Sequence, residues 1–235
     1  MQSDQPEAIW RPSPNFGPRR DQLRPSLIVL HFTAMASAHA ALDRLCDPAA
    51  EVSAHYLIGQ DGQLWQMVRE ADRAWHAGAG QWAGQQDINS RSIGIELDNC
   101  GDHPFSAAQM SCLETLMRGI MARWSIPASG VIGHSCMAPG RKSDPGSRFD
   151  WLCLARSGLA LPPGTERPGT EQPEQDQEAV GLPARFRALA QARGFTAEAT
   201  DSVLLEAVRL RFRPAGRGPL SMEDLTVLTG PKGYD

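Results

Sequence analysis

The apolar positions between residues 27 and 133 change period several times, and each change marks an element. Leu27-Ile-Val-Leu30 is a short unbroken apolar run of the buried-strand type, and Ala36–Leu45 behind it reads as a helix. Ser53–Gly59 and Gln63–Val68 flank Gln60-Asp61-Gly62, so two strands joined by turn chemistry are expected there. Residues 92–97, SIGIEL, alternate with period 2, which puts Ile93, Ile95 and Leu97 on one face and Gly94, Glu96 and Asp98 on the other. Residues 130–133, GVIG, supply a further strand. Between these two strands Ser106 and Gln109 have the spacing of a capping box. Met110, Leu113, Met117, Ile120, Met121 and Trp124 then recur at helical spacing before Pro127. The expected class is therefore α/β, a mixed central sheet flanked by helices.

Residues 162–178, PPGTERPGTEQPEQDQE, contain four prolines and no aliphatic or aromatic residue, which predicts a flexible, extended linker. It divides the chain into residues 1–161 and 179–235. The second part has three helical patterns: one closing on Gly194, one closing before Pro214, and a short one opening at Ser221-Met-Glu-Asp224. A small C-terminal three-helix module is expected, near the lower size limit for independent stability.

Composition narrows the classes. With 41 % hydrophobic and 21 % charged residues the chain is ordinary globular protein, and 235 residues suffice for a real core. A net charge of −4 argues against nucleic acid or an anionic membrane as partner. The N-terminal twenty residues have no basic segment followed by an apolar one, and no stretch approaches the roughly 18 apolar residues of a membrane span. Five cysteines without a paired spacing suit a reducing compartment. The expectation from both is a cytoplasmic protein.

The candidate chemistry sits at strand ends. His31 follows the first apolar run, His134 follows GVIG, and Asp144 lies ten residues on, beyond a Pro-Gly turn. Two histidines and a carboxylate suit a catalytic zinc with a fourth position open to water; the same residues could equally be a core histidine and an Asp-Pro turn former. Glu96 is costly to bury in an apolar strand without a partner or a task, so it is a candidate general base. Lys142 could place a positive charge where the oxygen of a tetrahedral intermediate develops. Together these groups form a kit for metal-assisted amide hydrolysis.

LIVLHFTAM, EVSAHYLIGQDGQLWQMV, AWHAG, INSRSIGIEL and GHSCMAPGRKSDPG occur in that order. The chain thereby resembles, over roughly residues 10 to 160, the zinc-dependent N-acetylmuramoyl-L-alanine amidases of the type 2 amidase and peptidoglycan-recognition group. The resemblance implies Zn²⁺ on His31, His134 and Asp144, with Lys142 catalytic. Where some relatives carry a catalytic Tyr this chain has Ala54, and it has Glu96 where those relatives lack a carboxylate. Glu96 is then the implied base, and Tyr56 has no catalytic role. Trp75, His76 and Asn89 are expected to line the substrate groove. His55 is expected within the sheet, His39 and His103 on the surface, and Cys136 as a small loop filler. The C-terminal segment, with Phe212-Arg-Pro214 as its marker, is similar to a peptidoglycan-binding-like three-helix domain, or else packs on the catalytic part without touching ligand. The implied activity is hydrolysis of the lactyl–L-Ala amide of muropeptides, with imported 1,6-anhydro-muropeptides of cell-wall recycling as substrate. The competing readings are a muropeptide-recognition protein without catalysis and a metal-free hydrolase using Cys136.

Overall fold

The computed structural model describes residues 3–164 and 181–229. In chain order the elements are β1 (Ile9–Trp10), β2 (Phe16–Gly17), β3 (Leu27–Phe32), α1 (Ala38–Cys46), β4 (Tyr56–Ile58), β5 (Leu64–Gln66), β6 (Arg73–Ala74), α2 (Ile88–Arg91) and β7 (Ser92–Leu97). They continue with α3 (Ala107–Trp124), β8 (Val131–Gly133), α4 (His134–Met137), α5 (Trp151–Arg156), α6 (Leu182–Ala192), α7 (Asp201–Phe212) and α8 (Met222–Thr226). Six strands form one mixed sheet in the order β1-β5-β4-β7-β3-β8, and β2 and β6 make a small antiparallel pair. β4, β7, β3 and β8 run parallel, and β5 returns antiparallel to β4 through the expected turn.

Alternation along the strands decides which layer each side chain joins. Ile28, Leu30, Ile93, Ile95 and Leu97 pack with Leu113, Met117 and Ile120 of α3. Ser106 caps that helix by accepting from the Gln109 N–H at 3.0 Å. Only half of the expected capping box forms: the Gln109 side chain turns to the sheet, where its Nε2 donates to the carbonyls of Ile58 and Asp98, and its Oε1 does not accept from the Ser106 N–H.

The opposite face is covered in two parts. Leu57, Trp65 and Met67 lie under Ala41, Leu42 and Leu45 of α1. Leu27, Val29 and Ile132 lie under Phe186, Phe195, Leu204 and Val208 of the C-terminal helices. The three C-terminal helices form where the sequence places them, and the Ser221–Asp224 capping box is complete. They share one core with the sheet, each large side chain buried there contributing about 1.5–3 kcal/mol. Of the expected linker only residues 162–164 fall within the described residues. Gly164 N–H donates to the Val227 carbonyl at 2.9 Å, which ties the chain leaving the sheet to the last helix.

Residues 3–22 were not legible in advance. Their two-residue strands have no periodicity to read, yet β1 extends the sheet by pairing parallel to β5. Asp4 secures the arm through Gln66 Nε2 at 2.5 Å and the Glu70 N–H at 2.9 Å. Glu70 is itself buried and accepts from Tyr56 Oη at 2.6 Å, Trp124 Nε1 at 2.6 Å and Arg123 Nε at 3.0 Å. No helix among the described residues is long and apolar enough to cross a membrane.

Candidate active site

The gap between the two covering layers leaves the carboxyl ends of β3, β7 and β8 open. Leu27, Val29 and His31 share the open face of β3, so the alternation that buries two apolar residues delivers the histidine to the gap. His134 is the first residue of α4, immediately after β8. The following loop turns at Gly140, whose φ of 75° is a left-handed conformation that glycine adopts without steric cost. The chain comes back so that the Asp144 carbonyl accepts from the Ser135 N–H at 3.0 Å. Asp144 Oδ2 thereby lies 2.9 Å from His31 Nδ1 and 3.0 Å from His134 Nδ1, and the two nitrogens are 2.9 Å apart.

The protons of this cluster follow from two backbone carbonyls, which can only accept. His134 Nε2 is 2.9 Å from the Ala77 oxygen, so it carries the N–H and leaves Nδ1 a bare lone pair. Ser92 Oγ donates to the Ile88 oxygen at 2.6 Å and therefore accepts from His76 Nε2–H at 3.1 Å. His76 Nδ1 is then an acceptor, and His31 Nε2–H donates to it at 3.0 Å. His31 Nδ1 is also proton-free. Two nitrogen lone pairs and a carboxylate oxygen thus converge within 3.0 Å of one another. Such a group of acceptors is repulsive unless a cation lies between them, so the donor set fits a metal ion, with the cavity side left for a further ligand. Burial, and then the neighbouring His134, lower the pKa of His31 to about 4, which keeps the ring neutral at pH 7.

Glu96 stands directly opposite His31 in the β3–β7 register, on the same face. Its Oε2 is buried without a hydrogen-bond partner. Burial first, and then the charge of Asp144, push its carboxyl well above the usual range, while Lys142 pulls the other way. These residues, with Lys142 and Trp75, line one cavity of about 390 Å³. Arg44 and Arg141 add positive charge at its wall, and Arg141 Nη2 donates to the Ala77 oxygen at 2.7 Å.

The other expected site residues are placed unevenly. Trp75 lines the cavity. His76 also borders it, but both its ring nitrogens are engaged, one with His31 and one with Ser92, so none is left for a substrate. Asn89 lies behind it, its Oδ1 accepting from the N–H groups of His76 and Ala77. His55 is inside the sheet, where its Nδ1 accepts from the Gly94 N–H at 3.0 Å. Tyr56 points away to Glu70, and Ala54 is buried. His39 and His103 are at the surface, His39 edge-on to Trp65. Cys136 belongs to α4 rather than to a loop, and burial pushes its thiol up to about 11, which leaves it a poor nucleophile. Ser92, Gly94 and the Ala77 carbonyl were not anticipated. A serine, a glycine and a main-chain oxygen carry no signal in one sequence that marks them as supports of a distant histidine.

A family model described as N-acetylmuramoyl-L-alanine amidase matches residues 21–147. The N-acetylmuramoyl-L-alanine amidase AmiD of Escherichia coli is 37 % identical over 160 residues, which are 61 % of this chain and 57 % of that protein. The 1,6-anhydro-N-acetylmuramyl-L-alanine amidase AmpD of Salmonella typhimurium is 36 % identical over 162 residues, 62 % of this chain and 87 % of that protein. In three dimensions E. coli AmiD, solved with anhydro-N-acetylmuramic acid-L-Ala-D-γ-Glu-L-Lys, superposes with a TM-score of 0.74 at 29 % identity. That superposition covers 93 % of this chain and 90 % of that one, so the fold likeness extends into the C-terminal helices.

Proposed function

The chain belongs to the N-acetylmuramoyl-L-alanine amidase family, and from that premise we propose that it hydrolyses the amide between the lactyl group of N-acetylmuramic acid and L-Ala. The observation that carries this reading is the convergence of three proton-free ligand atoms in one cavity with Glu96, whose Oε2 is buried without a hydrogen-bond partner. His31, His134 and Asp144 would hold Zn²⁺, the ion that two imidazoles and one carboxylate with an open position suit. When bound, zinc supplies Lewis acidity that makes a water nucleophilic near neutral pH and polarises the scissile carbonyl.

The remaining steps belong to the protein. Glu96 accepts a proton from the water as its oxygen bonds to the carbonyl carbon, a contribution of about 10²–10⁴ in rate. Lys142 sets its ammonium against the negative charge that develops on the carbonyl oxygen. The C–N bond then breaks as Glu96 returns the proton to the leaving nitrogen. The products are a lactyl carboxylate and a peptide with a free L-Ala amine. Trp75 offers an apolar wall to the sugar or the peptide. Arg44, Arg141 and Lys142 around the cavity suit the carboxylates of a stem peptide.

Free 1,6-anhydro-muropeptides in a reducing compartment are the proposed substrate, a reading supported by the AmpD likeness and by five cysteines without a disulfide. The test is release of L-Ala-led peptide from a defined anhydro-muropeptide, with chelator, with zinc add-back, and with Glu96→Gln. Cleavage that chelation abolishes, zinc restores and the substitution collapses is the expected outcome. Binding without cleavage by zinc-loaded protein would make it a recognition protein, and inhibition by thiol alkylation with indifference to chelator would move the chemistry to Cys136.

A further inference from the structure

Of the two histidines that face the metal position one is in β3 and the other opens α4, yet their outer nitrogens end on consecutive residues of a third segment. His31 Nε2–H donates to the His76 ring at 3.0 Å, and His134 Nε2–H donates to the Ala77 carbonyl at 2.9 Å. Residues 76 and 77 lie outside regular structure, so no strand ladder fixes them. One side chain holds both backbone N–H groups: Asn89 Oδ1 accepts from the His76 N–H at 3.0 Å and from the Ala77 N–H at 2.8 Å, while Arg141 Nη2 donates to the Ala77 carbonyl at 2.7 Å and Ser92 Oγ meets the His76 ring at 3.1 Å. Asn89 is 7 % exposed, and its own carbonyl accepts from Arg19 Nη1 at 3.2 Å, so the oxygen has little freedom to wander. The preceding residue of α2, Ile88, gives the carbonyl at which the Ser92–His76 relay begins.

We propose that Asn89 is a positioning residue for the whole metal centre. Through the His76–Ala77 dipeptide it presents one acceptor to each ligand histidine and so aims both Nδ1 lone pairs at a single point. This rests on the reading of His31, His134 and Asp144 as metal ligands. Its consequence differs from that of any single support: loss of the His76 ring releases His31 alone, whereas loss of the Asn89 oxygen releases both imidazoles together. Asp in place of Asn89 keeps an acceptor oxygen at the same position, and Ala does not.

The experiment compares full-length wild type, Asn89→Ala, Asn89→Asp and His76→Phe, using zinc as the only ligand. Zinc affinity is read by competition with a chromophoric chelator. In the zinc-loaded proteins, solvent exchange of the two histidine Nε2–H protons is read by NMR against amides of the central strands. Asn89→Ala is expected to lower zinc affinity about 10–100-fold and to speed exchange of both ring protons relative to those amides. Asn89→Asp should restore most of the affinity, and His76→Phe should speed exchange at His31 only. Wild-type affinity in folded Asn89→Ala, or faster exchange at one histidine alone, overturns the proposal. Should Asn89→Ala not fold, wild type still decides, because fast exchange of either Nε2–H in the zinc-loaded protein also overturns it. No substrate enters these measurements, so a protein that behaves as expected here and cleaves no muropeptide refutes the amidase reading and leaves this one standing.

Discussion

Gly94→Ala tests the support of the site by adding one methyl group. Gly94 lies in β7 on the open face of the sheet, and a Cβ there would come within 2.6 Å of His76 Nδ1 and 2.7 Å of Cδ2. Ordinary carbon contacts lie near 3.5 Å, so either strand or ring must retreat by about 1 Å. The strand is held on three sides: Gly94 is paired with Val29, and its N–H and carbonyl both bond to His55. The ring therefore moves, and the 3.0 Å contact with His31 Nε2 lengthens toward about 4 Å, beyond hydrogen-bonding range. Overpacking costs about 1–3 kcal/mol. A buried donor left without its acceptor costs about 1–3 kcal/mol more. The two costs share one ring and do not simply add, so about 3 kcal/mol is expected, a fall in Tm of about 6–12 °C for a chain of this size. Zinc affinity should drop about 10–100-fold as His31 loses its orientation. The assay is thermal unfolding with and without zinc, run also on His76→Ala and on the double variant. Once the ring is gone the added methyl should cost less than about 0.5 kcal/mol, the usual limit for uncoupled sites. Wild-type Tm and zinc affinity in Gly94→Ala, or equal cost with and without the ring, would refute the reasoning.

Glu96 accepts a proton only when ionised, and burial with the charge of Asp144 raises its pKa against the pull of Lys142. The acidic limb of kcat/KM should therefore lie above the ordinary glutamate value of about 4.3, with activity rising as pH climbs through it. Glu96→Gln should lose that limb together with about 10²–10⁴ in rate, and a profile unchanged by the substitution would contradict the assignment. Phe186→Ala should cost about 3–5 kcal/mol, because the ring is fully buried against the sheet. Unfolding should remain one transition by near-ultraviolet circular dichroism; a separate early melting of the C-terminal helices would show that they do not share the core. Glu70→Ala strips the acceptor from Tyr56, Arg123 and Trp124 and should cost about 3–5 kcal/mol, read as a lower urea midpoint with an unchanged slope.

Much of the architecture could be read along the chain because it rests on local periodicity. SIGIEL alternates, and its apolar members do pack on α3 while Glu96 faces the site. The β4–β5 hairpin and the three C-terminal helices have turn and capping residues that act within a few positions of one another. The two-residue strands β1, β2 and β6 lacked any such signal, since pairing with a distant strand is all that makes them strands.

Residue type and order by themselves determined the chemistry on offer: two strand-end histidines, an aspartate beyond a Pro-Gly turn, a glutamate in an apolar strand and a lysine. Side-chain chemistry is intrinsic, and alternation fixes which side of a strand each group occupies. Only the tertiary structure decided which groups hold the others. It turned His76 toward His31 and put Asn89 behind the supports of both His31 and His134. It also used the C-terminal helices to cover half of one sheet face and so leave the site in the gap beside them. Hydrogen bonds between residues 45 or 57 positions apart depend on where strands and loops meet in space, and that is set by burial of the whole sheet rather than by any local pattern.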